Sequence, residues 1–258
     1  MKLYTFGCCA GTEPMENLHH TALAFEVGDT LYWFDAGESC SRTAHLMGID
    51  LLKIKSIFIS HTHMDHVGGL GNLLWNMRKV SGRRNTLPYS KSVDVYIPCM
   101  ETWEGVWKIL TNAENRFKWD CPVNAHPVSE GELYSDENLT ITALHNNHLI
   151  NFEENGEKLS FSYKIKAEGK TVVFSGDLKH VSDLDSFLKE ECDYLLIETG
   201  HHTVEEVCRY VNDKKVKNLM FVHHCRDIIA NINQARLEAQ KFSNCNVIFC
   251  EDKAVFEL

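Results

Sequence analysis

Three histidines and a carboxylate fall within six residues of one stretch, Ser60-His61-Thr62-His63-Met64-Asp65-His66-Val67-Gly68-Gly69. Imidazole nitrogens and a carboxylate at this density suit zinc or another borderline divalent ion. An apolar, β-favouring run, Ser56-Ile57-Phe58-Ile59, precedes the stretch. After the two glycines come Leu70, Leu73, Leu74 and Met77 at helical spacing. The pattern predicts a buried strand that ends, releases a ligand-rich loop and feeds a helix.

A two-metal site needs about six to eight protein donors, an estimate from four-coordinate geometry. The loop supplies His61, His63, Asp65 and His66. Candidates for the remainder follow other apolar runs: His148, Asp177 and His223. Two positions stay open. His145 also follows its strand, though as the last residue of the run, which favours His148. His224 would replace His223 after a one-residue slip.

The elements that must position these groups alternate along the chain. Strands are expected over 2–6, 21–27 and 30–34, the last two joined at Gly28-Asp29, and then over 54–60 and 93–97. The second half repeats the plan, with strands over 139–144, 161–166 and 171–174 (a hairpin at Gly169-Lys170), 194–197 and 219–222, and a last strand over 247–249. Helices are expected over 39–47, 70–79, 101–112, 184–191 and 234–242. Another opens at the capping-box pattern Thr203-Val204-Glu205-Glu206. The basic stretch 80–92 reads as a solvated loop, with a basic lip beside the site as the alternative. Strands alternating with helices give a layered α/β architecture. Polar residues collect at strand ends (Asp35, His61, His148, Asp177, Glu198, His223), where open α/β sheets place their sites.

Composition bounds the partners. The chain has 258 residues, 44% hydrophobic and 24% charged, with a net charge of −10. That balance opposes a broad nucleic-acid footprint. No apolar run is long enough to span a membrane. Met1-Lys2-Leu3-Tyr4-Thr5-Phe6 reads as a strand rather than a secretion signal, so a cytoplasmic protein is expected. Ten cysteines show no CxxC pair and read as reduced, core-packed thiols.

The string His61-x-His63-x-Asp65-His66, followed by His148, Ser175-Gly176-Asp177 and His223, resembles the metallo-β-lactamase superfamily. The likeness includes Gly7 and Gly11-Thr12 and covers nearly the whole chain. It implies a four-layer αββα sandwich, a single domain over 1–258 built from two similar halves. It also implies that His61, His63 and His148 hold one metal, that Asp65, His66 and His223 hold a second, and that Asp177 bridges them. Zinc is the default, with manganese or iron compatible. Asp65 would also orient the nucleophile, and Asp35 or Glu198 would fix imidazole tautomers. Asp35-Ala36-Gly37-Glu38 and the short early loop look most like the ribonuclease Z and phosphodiesterase branch. In that branch an extra histidine element lies near the leaving group. Here it corresponds to His201-His202-Thr203, with His202 as the candidate general acid or phosphate contact. Arg226 or Lys179 is a candidate to neutralise a phosphate oxygen.

The expected reaction is hydrolysis of a small nucleotide or cyclic nucleotide phosphodiester. The alternatives are tRNA 3′-end cleavage of the ribonuclease Z type and a non-phosphate hydrolase such as a lactonase, thioesterase or β-lactamase. A binding protein with a dead site is disfavoured by the complete donor set. In ribonuclease Z the tRNA-gripping arm is inserted between the positions of His148 and Asp177. Here that interval holds one hairpin and a polar stretch over 151–158, which makes RNA the less favoured substrate. A homodimer is compatible with the resemblance.

Overall fold

The computed structural model describes residues 1–112, 116–149, 153–154 and 156–258. Two seven-stranded sheets form the centre. The first runs Ala254–Glu257, Lys2–Gly7, Ala22–Val27, Thr30–Phe34, Ile54–Phe58, Val93–Ile97 and Val123–Pro127. Its first three pairings are antiparallel and its last three parallel. The second runs Asn246–Phe249, Val216–His224, Cys192–Thr199, Lys170–Phe174, Phe161–Ala167, Leu139–His145 and Gly131–Ser135. Here the first three pairings are parallel and the last three antiparallel. Each half is therefore a hairpin followed by crossover units, because parallel neighbours need a long return connection.

Side-chain alternation sorts the strands into layers. In Thr30–Phe34, Leu31 and Trp33 face outward under the helices Cys40–Leu46, Leu70–Arg84 and Met100–Thr111. Tyr32 and Phe34 face inward, between the sheets. There Phe34 stacks on Phe58 at 5.1 Å and meets Tyr163 and Phe174 edge-on. A third core lies under Val204–Val211 and Ile232–Phe242. The result is helix, sheet, sheet, helix, as the resemblance implied. Two bonds sew the sheets together at one end. The Tyr163 hydroxyl donates to the Ile59 carbonyl at 2.6 Å, and the Phe161 amide donates to the Ser60 carbonyl at 2.9 Å. Both acceptors sit at the start of the histidine-rich loop.

Several elements differ from the sequence expectation. The helix expected over 70–79 continues to Arg84 and stops at Asn85, which has a left-handed φ of 50°. Gly82 does not break it, and Arg83 and Arg84 complement the negative helix end. Its 15 residues carry the basic stretch roughly 22 Å away from the metal loop at 1.5 Å per residue, so no basic lip forms there. The helix expected over 184–191 is two 3₁₀ turns, Val181–Leu184 and Phe187–Lys189. Leu184, Phe187 and Leu188 are buried all the same, so short turns satisfy the apolar spacing. The last strand is Ala254–Glu257, not 247–249, and it closes the first sheet beside Lys2–Gly7. The half-exposed strands Val123–Pro127 and Gly131–Ser135 were not expected. Within 151–158, Glu153–Glu154 pairs with Glu157–Lys158, and the remainder includes residues outside those described. No described helix is long and apolar enough to cross a membrane. The ten cysteines are free and eight are buried.

The early loop is held by Asp252, whose carboxylate accepts the Cys8 amide at 2.8 Å and the His19 amide at 2.7 Å. Burial pushes this carboxyl up to about 6. Its folded pKa exceeds the unfolded value, so its contribution to stability is full below about pH 4 and is lost as pH rises through 6. The loss is on the order of 2 kcal/mol. Urea unfolding of the wild type and Asp252→Asn between pH 4 and 7 should show this component in the wild type alone. Parallel pH profiles would exclude it.

Candidate metal centre

The loop begins where the Ile54–Phe58 strand ends. Its conformation is set by Asp35, a buried residue with a φ of 52° at the end of the neighbouring strand. One carboxylate oxygen accepts the Ser60 amide at 2.7 Å. The other accepts the Ser60 hydroxyl at 2.8 Å and faces His66 Nδ1 at 2.7 Å. Ser60 Oγ also lies 3.1 Å from His61 Nδ1. One acidic group thus orients both ends of the loop and leaves His61 Nε2 and His66 Nε2 pointing inward. The one-turn helix Met64–Val67 then places Asp65 beside His66.

Every donor named from the sequence comes together. His61 Nε2 and His148 Nε2 lie 3.0 and 3.3 Å from His63 Nδ1, and each lies 3.7 Å from Asp177 Oδ2. In the second group, Asp65 Oδ2 is 3.3 Å from His66 Nε2 and 3.1 Å from His223 Nε2. Asp177 Oδ1 is 3.2 and 3.3 Å from the same nitrogens. Within each group of four, the ligand atoms lie within 4.8 Å of one another. The two alternative residues lie outside both groups. His145 stacks on Phe161 at 4.4 Å and meets Glu130, outside both groups. His224 points away, its nitrogens 2.8 Å from Thr199 Oγ1 and 2.9 Å from the Cys250 carbonyl.

Electrostatics favour cations here. Asp35, Asp177 and Glu198 are almost fully buried and Asp65 nearly so, which is costly for carboxylates without counter-charge. Burial opposes ionisation of Asp177, yet the surrounding histidines, His223 first, hold its carboxyl well below the usual range. Burial drives His61 well below its ordinary value and His148 down to about 4, so both present neutral imidazoles, the form able to bind a metal. His66 Nε2 and Asp177 Oδ1 are buried with no hydrogen-bond partner among the described residues. Paired imidazole and carboxylate donors with orphaned inward atoms fit divalent metal ions.

A third group adjoins these two. Glu198 sits under Asp177 and accepts the Leu178 amide at 2.9 Å and the His201 amide at 2.7 Å. It lies 3.9 Å from His223 Nδ1, beyond hydrogen-bond reach. His201 Nδ1 is 2.9 Å from Glu198 Oε1 and 3.9 Å from Asp177 Oδ2. The Glu198 contact outweighs burial and raises the imidazole above its ordinary value. His202 is turned toward Glu206, with Nδ1 at 3.3 Å, and its Nε2 is 3.9 Å from Glu198. Sequence reasoning favoured His202 within the pair. It is His201 that faces Asp177, while Thr203, beyond the pair, caps the next helix through the Glu206 amide. A Cβ on Gly200 would fall 2.5 Å from His223 Nδ1, so only glycine admits this approach. Arg226 pairs with Glu13, which ties it to the early loop.

Sheets, layers and the paired histidine–carboxylate groups fit a metal-dependent hydrolase of the metallo-β-lactamase superfamily, and sequence relatives put the chain near the ribonuclease Z branch. More narrowly, the chain belongs to the family described as Anti-Pycsar protein Apyc1, which it matches over residues 1–249. It is 25% identical to the ribonuclease Z of Shouchella clausii, covering 100% of this chain and 97% of that protein. That alignment spans 326 positions against 258 residues here, so the relative carries segments this chain lacks. Among solved structures, the metallo-β-lactamase fold protein YhfI from Bacillus subtilis superposes with a TM-score of 0.76 at 18% identity, covering 99% of this chain and 98% of that one. The short form of human tRNase Z gives 0.73 at 18% identity, covering 100% and 99%.

Asp35→Asn keeps the shape but removes the charge that orients His66. Affinity for zinc, measured by chelator competition, should fall about 10- to 100-fold. Unchanged affinity would remove Asp35 from the site.

Proposed function

We propose that the chain is a dinuclear metal phosphodiesterase acting on a small nucleotide substrate, with cyclic nucleotides included. In this reading His61, His63 and His148 hold one ion, Asp65, His66 and His223 the other, and Asp177 bridges. The observation that carries it is the Asp177 carboxylate, whose Oδ2 faces the first group and Oδ1 the second. A carboxylate placed between two three-residue groups supports a pair of ions rather than one. Zinc suits the donors, and manganese or iron would also bind them.

Two ions held there would lower the pKa of a water molecule toward neutrality and polarise a phosphoryl group. The chain's own residues do the remainder. Asp65, beside His66 and His223, keeps its negative charge against burial and orients the attacking water. His201 holds a proton. Its Nδ1 is engaged by Glu198, which leaves Nε2 to donate to the departing oxygen. His202 is assigned a supporting place between Glu198 and Glu206. Thr203, which accepts the Glu206 amide at 3.2 Å, fixes the start of the helix that follows the pair.

A second reading, tRNA 3′-end cleavage, is supported by similarity to a ribonuclease Z along the full chain. The segments that relative has in addition, and the net charge of −10, favour the smaller substrate.

Protein loaded with zinc or manganese should hydrolyse bis(p-nitrophenyl) phosphate. In a side-by-side panel, cyclic nucleotides should outpace a tRNA precursor. Turnover of lactones or thioesters alone would refute the phosphodiesterase reading, and a preference for the precursor would select the second. Asp177→Ala should lose bound metal, measured by elemental analysis, and activity with it. His201→Ala should lower kcat about 10²- to 10⁴-fold with metal content retained. A larger loss in His202→Ala would exchange the two roles.

A further inference from the structure

A basic hollow of about 620 Å³ lies at the far end of the Leu70–Arg84 helix. Arg78, Lys79 and Arg83 line it from the helix, and Lys118 and Trp119 from the segment beyond Phe117. Asp120 is the one carboxylate among its lining residues. The chain has 36 acidic against 26 basic residues, so carboxylate partners are plentiful. Some cations elsewhere use them: Lys53, Lys55, Lys214 and Lys217 form ion pairs, and the adjacent Arg84 binds Asp50 at 2.7 Å. Arg78, Lys79, Arg83 and Lys118 pair with no carboxylate among the described residues.

The walls are preset. Arg78 Nε donates to the Lys118 carbonyl at 2.7 Å, and its guanidinium lies 5.2 Å from the Trp75 ring. Lys79 Nζ lies 4.9 Å from the same ring. Trp119 donates to Ser81 Oγ at 3.1 Å. A helix C-terminus attracts cations, which accounts for Arg83 but not for Lys118, since Lys118 comes from another segment. Four cations converge on a space of nucleotide size, beside a half-buried indole.

We infer that this hollow is a second binding site, for a phosphate-bearing anion, separate from the metal centre. The cations meet the phosphates, and Trp119 offers a face for a base. The shared chemistry fits a free nucleoside polyphosphate or the backbone of a single strand. It stands independently of the hydrolytic reading.

The test measures binding of ATP and of a labelled ten-residue oligo(dT) to the full chain at low salt. Four further proteins are compared. The groove is reversed in Lys79→Glu/Arg83→Glu/Lys118→Glu and neutralised in Arg83→Gln/Lys118→Gln. Asp177→Ala removes binding at the metal centre. Lys2→Glu/Lys166→Glu/Lys241→Glu matches the charge change elsewhere. The expected result is a tenfold or greater loss of affinity in the reversed protein and a smaller loss in the neutralised one. Asp177→Ala and the surface control should bind as wild type does. Hydrolysis of bis(p-nitrophenyl) phosphate by both groove variants should be unchanged. Tighter binding of ATP identifies a free nucleotide as the ligand class, and tighter binding of the oligonucleotide identifies a strand. No binding at millimolar ligand, equal loss in the surface control, or loss in Asp177→Ala alone would overturn the inference.

Discussion

A single buried carboxylate, Asp35, sets the geometry on which the site depends. It accepts one amide and one hydroxyl from Ser60 and faces His66 across 2.7 Å. Those three contacts fix where the loop leaves its strand and how its last histidine is turned. Charge-assisted bonds of this kind are short and strong, and they are most effective where water is excluded. The cost is a buried anion held in a left-handed backbone conformation. A short polar side chain tolerates that conformation better than a branched one would. The His66 side chain, 2.7 Å away, offsets the charge.

The second half answers with a matching device. Gly176 also has a positive φ, 55°, at the end of a hairpin, and a Cβ there would meet both Ser60 and the Phe161 carbonyl. The two halves touch at this point, and Asp177, the next residue, reaches both donor groups. Neither sheet holds a complete set. The first supplies His61, His63, Asp65 and His66, and the second supplies His148, Asp177 and His223. The inter-sheet aromatic core and the Tyr163 to Ile59 bond are therefore part of the site, because they set the distance between its halves.

What the sequence disclosed, and what it concealed, follows from the range of the forces involved. His61 to His66 stood out because several donors share one loop, and His148, Asp177 and His223 because each follows an apolar run. Central strands were legible for the same reason: burial on both faces leaves a continuous apolar signature. The edge strands Val123–Pro127, Gly131–Ser135 and Ala254–Glu257 carry half that signature or less. The extension of the Leu70–Arg84 helix through Gly82 was hidden because tertiary packing of Ser81 and Trp119 outweighs a local helix breaker. The turning of His201 toward Glu198 and of His202 toward Glu206 depends on the local backbone path, which residue types alone do not give.

The Ala254–Glu257 strand, paired with Lys2–Gly7, has a consequence for the order in which the molecule is made. The first sheet cannot close until the chain has been synthesised through Glu257. Until then Lys2–Gly7 has an open edge, able to pair with whatever strand it meets. Contacts this distant in sequence form slowly, since the intervening chain must first be confined. The early loop, bound by Asp252 just before that final strand, waits on the same event. A chain that has reached the histidine loop but not Glu257 therefore carries that loop beside a sheet whose edge is still unpaired.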